Sequence, residues 1–398
     1  MQFTVGEPAG MTADILQQPV SAPLAPVVAS ARDERSFHTL DGLRGVAALA
    51  VAVIHITGFT HRNFLGGRHI VFGGLAVDFF FVLSGFVIAH AYGRKLTQGM
   101  GLGGFLRVRI IRLWPLYVLA IAIAVAQFGV ERWLTPNVWT WKSLGLVALT
   151  SLVMIPAPLF GFNNEPMFLL NPATWSLAAE MIVNTIYAAM ARHLGGARLL
   201  ILSAIAGGVL LWRFLHHHGG SIGVEWSGLD IALARAAYGF FMGVLIYRLH
   251  ESRPCRFALN GWLLIVPLAV MLLGPTDPGW RPWYEPISAL LVFPLIVYVG
   301  ASSRLDAVSR RICLFFGGIS YALYVLHSPL GRTAEWTAGL LHQSLSSDLA
   351  DFGLLAAFVI AAFVADIVYD QPVRKALTRM FGGKRMRLEP AALNAPPG

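Results

Sequence analysis

The sequence predicts an all-α integral membrane protein, a polytopic bundle of about ten transmembrane helices. Three observations carry this. Hydrophobic residues fill 56% of the 398 positions and charged residues only 13%, against roughly 25% charged in an average soluble domain. Mean hydropathy is +0.63. Apolar stretches long enough to cross a bilayer recur along the chain, with Arg and Lys gathered between them. This pattern excludes an ordinary soluble enzyme, a disordered chain and a collagen-like chain. Two cysteines exclude a disulfide scaffold and a Cys-rich metal site. A formal charge of +9 often signals nucleic acid. Here the clustering of the basic residues assigns them to membrane topology, so membrane lipid is the expected partner and nucleic acid is not.

Eleven apolar stretches are candidates for spans, at 43–60, 70–92, 113–130, 143–160, 173–190, 199–215, 231–248, 257–274, 286–300, 312–330 and 353–370. The basic residues test that number. Most fall in six regions: Arg32, Arg35 and Arg44; Arg94, Lys95, Arg107, Arg109 and Arg112; Arg192 and Arg198; Arg248, Arg253 and Arg256; Arg304, Arg310 and Arg311; and Arg374, Lys375, Arg379, Lys384, Arg385 and Arg387. If all six are cytoplasmic, as the positive-inside rule requires, two spans must separate each pair of neighbours. Between 112 and 192 lie three apolar stretches, so one of them does not cross. The suspects are 143–160, which ends in Pro156-Ala157-Pro158, and 173–190, which carries Glu180. A re-entrant segment between 143 and 190 and ten crossings with both termini inside are the expectation. Residues 1–37 lack the basic start and apolar core of a signal peptide and are expected to form a mobile cytoplasmic tail. Residues 38–372 form the membrane domain, and 373–398 a basic cytoplasmic tail. No internal repeat is visible.

An ionisable group at membrane depth costs about 2.5–3.5 kcal/mol on insertion scales and is a functional candidate by default. Arg44 and His55 stand eleven residues apart, which on a helix leaves them about 20° apart in azimuth and about 16 Å apart along the axis. A cation at the mouth with an imidazole deeper on the same stripe suits an anionic substrate whose reactive end reaches inward, and histidine exchanges protons near neutrality. The alternative is a packed helix in which Arg44 pairs with Asp41 and His55 bonds to a neighbouring helix. Arg109 and Arg112 share a face at the start of a span; two guanidiniums there can grip phosphate, or simply anchor the helix. Asp78 sits in Val77-Asp78-Phe79-Phe80-Phe81 and Glu180 in Trp175-Ser176-Leu177-Ala178-Ala179-Glu180. Each needs an Arg, a His or a backbone donor, and each is as readily structural as catalytic. Tyr321, Tyr324 and His327 recur every three residues and fit either interhelical hydrogen bonds or substrate contact. His216-His217-His218 has no metal-site spacing and reads as a loop. No metal site is expected, and the chain holds no G-x-S-x-G elbow, phosphate loop or dinucleotide fingerprint.

Taken together, Leu40-Asp41-Gly42-Leu43-Arg44-Gly45 leading to His55, the stretch Asp78–Phe86, Arg109 and Arg112 before Trp114-Pro115, Trp175-Ser176-Leu177 with Glu180, and Ile319-Ser320-Tyr321 through His327 resemble the acyltransferase-3 family of bacterial membrane O-acyltransferases. The likeness covers about residues 38–372, with five motifs in the expected order. It implies about ten spanning helices, a place in the bacterial cytoplasmic (inner) membrane, an acyl-CoA donor approached from the cytoplasm, and O-acylation of a hydroxyl on a carbohydrate, lipid-linked or other polar acceptor. His55 matches the family's essential histidine and Arg44 the arginine paired with it, while Arg109 and Arg112 match the pair assigned to the CoA moiety. Asp78 and Glu180 join the catalytic candidates, either of them able to orient the imidazole, and Trp175, Tyr321 and His327 are candidates for substrate contact. Two departures stand out. The family often ends its last span in Glu-x-Pro where this chain has Asp370-Gln371-Pro372. Some members also carry a C-terminal hydrolase-like domain, absent from this sequence, so the membrane domain must complete transfer itself or with a partner. In the expected mechanism the arginines hold CoA phosphates and His55 acts as general base, with an acyl-histidine as the variant. A homo-oligomer is left open. The rival class is a secondary transporter or lipid flippase, whose broken helices in two matching halves are not found.

Overall fold

The computed structural model describes Met1 and residues 37–61, 63–64, 72–135, 140–157, 166–216, 223–256, 258–273 and 278–381. The expected N-terminal tail up to 36, His217, His218 and the C-terminal tail from 382 lie outside them. Among the described residues, thirteen α-helices run in chain order: α1 His38–Phe59, α2 Ala76–Thr97, α3 Leu102–Leu134, α4 Trp141–Leu152, α5 Thr174–Met190, α6 Gly196–His216, α7 Leu229–Ser252, α8 Trp262–Leu273, α9 Arg281–Ile287, α10 Phe293–Gly300, α11 Ala307–Leu340, α12 Asp348–Ala365 and α13 Gln371–Phe381. Short π-helical turns, Ser288–Val292 and Asp366–Asp370, join α9 to α10 and α12 to α13. Among the described residues eight helical stretches are long and apolar enough to cross a membrane. The protein is therefore an all-α, polytopic membrane protein.

Its surface shows the same thing. Leu200, Ile201 and Ile205 on α6, Leu263 and Val270 on α8, and Leu291, Leu295, Ile360 and Val368 are all exposed. A soluble protein does not show so continuous an apolar exterior, whereas lipid accepts it.

The described parts of the six basic regions meet at one end of the bundle. Arg94 bonds to Glu251 at 2.5 Å, Arg248 donates to the carbonyl of Leu194, and Tyr298 donates to that of Arg253. Leu259 and Asn260 are hydrogen-bonded or bridged to Arg304, Arg107 reaches the carbonyl of Phe381, and Phe37 packs on His90 and His250. Neither α4 nor α5, the helices between 112 and 192 that follow α3, is among the eight stretches long and apolar enough to cross, and α4 is the shorter of the two. The helix α3 leaves the basic end, where Arg107 meets Phe381, and α5 runs back to it. The 12 residues of α4 span about 18 Å at 1.5 Å each, well under the ~30 Å hydrocarbon core. A capping box between Thr140 and Ser143 starts it. The non-helical stretch before α5 is buried in protein, with Met167, Phe168, Leu170 and Asn171 at 1–2% exposure, the condition under which irregular backbone is tolerated at depth.

Two helix pairs form the core. The first, α2 with α7, packs backbone to backbone: a Cβ on Gly85 would collide with the Phe240 carbonyl and one on Gly243 with that of Val82. Only glycine permits so close an approach. The second pair, α1 with α11, runs parallel in register. Gly42 lies against Cys313, Gly45 against Phe316, and Gly331 against Phe59. Proline is accommodated within α3 (Pro115) and α11 (Pro329), as membrane helices allow. Asp306 begins α11 by accepting from the amides of Val308 and Ser309, both at 3.0 Å.

Candidate active site

The parallel run of α1 beside α11 assembles the site. Near the basic end, Arg44 Nε donates to the Gly317 carbonyl at 3.2 Å and to Ser320 Oγ at 3.0 Å. Its Nη2 donates to the same carbonyl and to Asp41 Oδ1, each at 2.8 Å. The pairing with Asp41 weighed from the sequence is thus present, but it is part of a larger clamp that ties α1 to α11. The side chain stays 28% exposed, and Nη1 has no hydrogen-bond partner among the described residues.

Three turns further along α1, His55 Nδ1 lies 2.8 Å from the Val51 carbonyl. A carbonyl only accepts, so Nδ1 carries the proton and Nε2 presents a lone pair. His55 is half-buried. Behind it on α11 stands His327, fully buried, with ring centroids 4.6 Å apart and planes at 62°. The Nδ1 of His327 lies 3.2 Å from the Leu323 carbonyl, which fixes the same tautomer, and its Nε2 has no hydrogen-bond partner. An unmet buried acceptor costs about 1–3 kcal/mol.

Neither carboxylate singled out in the sequence touches His55. Asp78 is the bidentate partner of Arg235, whose Nε meets Oδ1 at 2.8 Å and Nη2 meets Oδ2 at 2.7 Å. Both side chains are nearly sealed, at 5% and 2% exposure. Arg235 also donates to the Gly74 carbonyl at 3.2 Å and lies over the ring of Trp175 at 5.2 Å. Trp175 is therefore placed against the Asp78–Arg235 pair. Glu180 binds Arg109 Nη2 at 2.7 Å and accepts from Ser84 Oγ at 2.5 Å, joining α2, α3 and α5. With its amide oxygen turned toward Arg109, the buried Asn184 accepts from the same guanidinium at 3.1 and 3.3 Å.

Arg112 differs from its neighbour. It makes no hydrogen bond to any described residue, and the ionisable groups around it are Arg44, Asp370, Tyr321 and Arg109. Tyr321 donates to the Leu113 carbonyl at 2.6 Å, holding α11 to α3. Asp370, fully buried on the π-helical turn, contacts Arg374 Nε at 2.9 Å. The structure thus gathers Arg44, Arg112, Tyr321 and Asp370 at the basic end with Arg109 alongside, sets His55 and His327 deeper, and commits Asp78 and Trp175 elsewhere.

Several participants were missed in the sequence. Arg235 lies inside the apolar stretch 231–248, where an intramembrane arginine is itself the signal. Asn171, which donates to the Val325 carbonyl at 2.9 Å, carries no such signal, and Ser176, 2.5 Å from Tyr324 Oη, stood in the Trp175-Ser176-Leu177 motif without a role. They lock the start of α5 onto α11 beside His327. Among the described residues no group of His, Cys, Asp and Glu is placed to hold a metal ion.

A multi-pass helical protein with a guanidinium cluster at one end and a half-buried imidazole three turns along the same helix as Arg44 is the class that fold and site define. The chain belongs to the acyltransferase-3 family: the family model described as "Acyltransferase domain" matches residues 37–368. The chain is 38% identical over 189 residues to "Protein 2 in picA locus" of Rhizobium radiobacter, covering 44% of this chain and 93% of that protein. It is 23% identical over 386 residues to acyltransferase MdmB of Streptomyces mycarofaciens, covering 86% and 92%. No solved structure matches. The protein is a membrane acyltransferase.

Proposed function

We propose that the protein moves an acyl group from cytoplasmic acyl-CoA to a hydroxyl of a carbohydrate or other polar acceptor. It does so in the bacterial inner membrane with both termini in the cytoplasm. The observation that carries this reading is the tautomer of His55. With Nδ1–H held on the Val51 carbonyl, the free Nε2 is a base, three turns deeper than the guanidinium cluster on the same helix. Arg112, with no hydrogen-bond partner among the described residues, and the open edge of Arg44 are the groups that would meet CoA phosphates. The pantetheine arm then runs along α1 toward His55. His55 takes the acceptor's hydroxyl proton as the oxygen attacks the thioester carbonyl; the C–S bond breaks and the proton passes to sulfur, giving ester and free thiol. The gathering of the described parts of the six basic regions at one end supports a cytoplasmic assignment for that end, and exposed Trp133, Trp141, Trp280 and Trp283 suit the opposite interface.

The test uses membranes of the native host, which carry the native acceptor, supplied with acetyl-CoA labelled in its acyl group. Release of free thiol is expected to match the appearance of base-labile label. His55→Ala is expected to leave the protein inserted and monodisperse in detergent while abolishing both. Retained transfer would remove His55 from the mechanism, and label without thiol would exclude the CoA thioester as donor.

A further inference from the structure

A histidine that takes a proton becomes a cation, and at membrane depth that cation needs an acceptor or a counter-charge. In many hydrolytic sites a carboxylate behind the imidazole fills that need. Here Asp78 and Glu180 are bound to Arg235 and Arg109, and the Nδ1–H of His55 rests on a neutral carbonyl. The helices α2, α8 and α12 also pack on α1; among the described residues the ionisable group that acts on His327 is His55 itself, and no carboxylate acts on either imidazole. What faces His55 from α11 is His327, with Tyr324 one turn earlier, its ring 6.0 Å from that of His327.

We infer that His327 is the positioning partner of the base, a second imidazole whose Nε2 accepts the hydrogen bond of protonated His55. The inference rests on the reading of His55 as the base. Three features support it. Both Nδ1 atoms are tied to the backbone of their own helices, which leaves Nε2 as the open edge of each ring. The rings stand 4.6 Å apart. His327 Nε2 is buried with nothing to accept from, an arrangement that is satisfied once His55 carries a proton. During transfer the acceptor's proton moves to His55 Nε2 and is shared with His327 as the O–C bond forms. It returns to sulfur as the C–S bond breaks, and both rings end neutral. His327 touches neither substrate; it acts by making His55 a stronger base.

The test compares His327→Leu, which removes the acceptor, with His327→Gln, whose amide oxygen reaches about as far as Nε2. Both are assayed in native-host membranes with labelled acetyl-CoA. His327→Leu is expected to lower kcat about tenfold to hundredfold with KM for acetyl-CoA unchanged. Losing the acceptor disfavours the imidazolium, so the acid limb of the kcat profile moves to lower pH. His327→Gln is expected to recover most of kcat and most of the limb. Unchanged kcat in His327→Leu would overturn the inference, as would equal losses in both variants with an unmoved acid limb, the mark of a packing role. An active His55→Ala defeats the reading of the base itself; an inactive His55→Ala beside a fully active His327→Leu defeats only the pairing.

Discussion

Asp78→Asn separates a structural carboxylate from a catalytic one. Asp78 and Arg235 are 5% and 2% exposed and share two hydrogen bonds of 2.7–2.8 Å. Removing one partner of such a pair leaves a buried charge without compensation, at a cost of about 3–5 kcal/mol. Two features soften that cost: Arg235 keeps the Gly74 carbonyl at 3.2 Å and the face of Trp175 at 5.2 Å. We therefore expect the lower end, about 3 kcal/mol, which is about a hundredfold in the folded-to-unfolded ratio. Thermal unfolding in detergent, followed by tryptophan fluorescence, reads that loss as a clearly lowered midpoint. Acyl transfer per folded molecule should stay near that of the unmutated protein. In the double variant Asp78→Leu with Arg235→Met both charges are gone, and most of the stability is expected to return. The reasoning fails if Asp78→Asn melts normally but transfers no acyl group, for then the carboxylate serves the chemistry.

Arg112→Ala is expected to raise KM for acetyl-CoA about tenfold to a hundredfold, the worth of a charge-assisted hydrogen bond of about 1.5–3 kcal/mol, with kcat unchanged; steady-state kinetics in membranes checks it. Gly243→Ala drives a Cβ into the Val82 carbonyl and should cost about 1–3 kcal/mol, seen as a lower melting midpoint, while Gly353→Ala, which meets nothing within 4 Å, should melt normally. At the exposed start of α11, the Ser309 hydroxyl and amide and the Val308 amide hold the Asp306 carboxyl below its ordinary pKa. The cap's contribution is therefore full above the usual carboxylate range and fades as pH falls through the depressed value. Protection of the Val308 and Ser309 amides against exchange, relative to the unstructured rate at each pH, should fall at acid pH in the parent and stay constant in Asp306→Asn.

The spans were legible because bilayer thickness imposes a run of apolar residues that survives any ignorance of packing. What blurred was everything a hydropathy scan cannot see. It starts the third span at 113, whereas α3 begins at Leu102, because its first three turns carry Arg107, Arg109 and Arg112 toward the polar end. It reads 286–300 as one span, but Pro286 and Pro294 lie at either side of a π-helical turn, 288–292, where the ladder is interrupted. The second such turn, Asp366–Asp370, sets Asp370 among the arginines, and no local pattern announces it. The carboxylates were visible as costly residues, but their partners were not. Asp78 finds Arg235 at a separation of 157 positions and Glu180 finds Arg109 at 71. Partner choice over such distances is decided by which helices pack, which no single-chain periodicity records.

The stripe joining Arg44 and His55 was legible for the opposite reason, since eleven residues on one helix need no tertiary knowledge. Its consequence emerges only from α11. The contacts of Arg44 with Gly317 and Ser320 set the axial register of two parallel helices. The same register, carried three turns further, brings His55 to His327. A slip of one residue rotates a side chain by about 100°, enough to turn either imidazole out of the shared space. Arg44 therefore has a task that charge at a substrate mouth alone does not explain. Its Nε and Nη2 are spent on alignment, and its 28% exposed remainder is what is left to meet an anion. Under the proposed function, meeting the donor and aligning the imidazoles fall to one guanidinium, so a ligand drawing Arg44 away from α11 is expected to disturb the imidazole pair about 16 Å deeper.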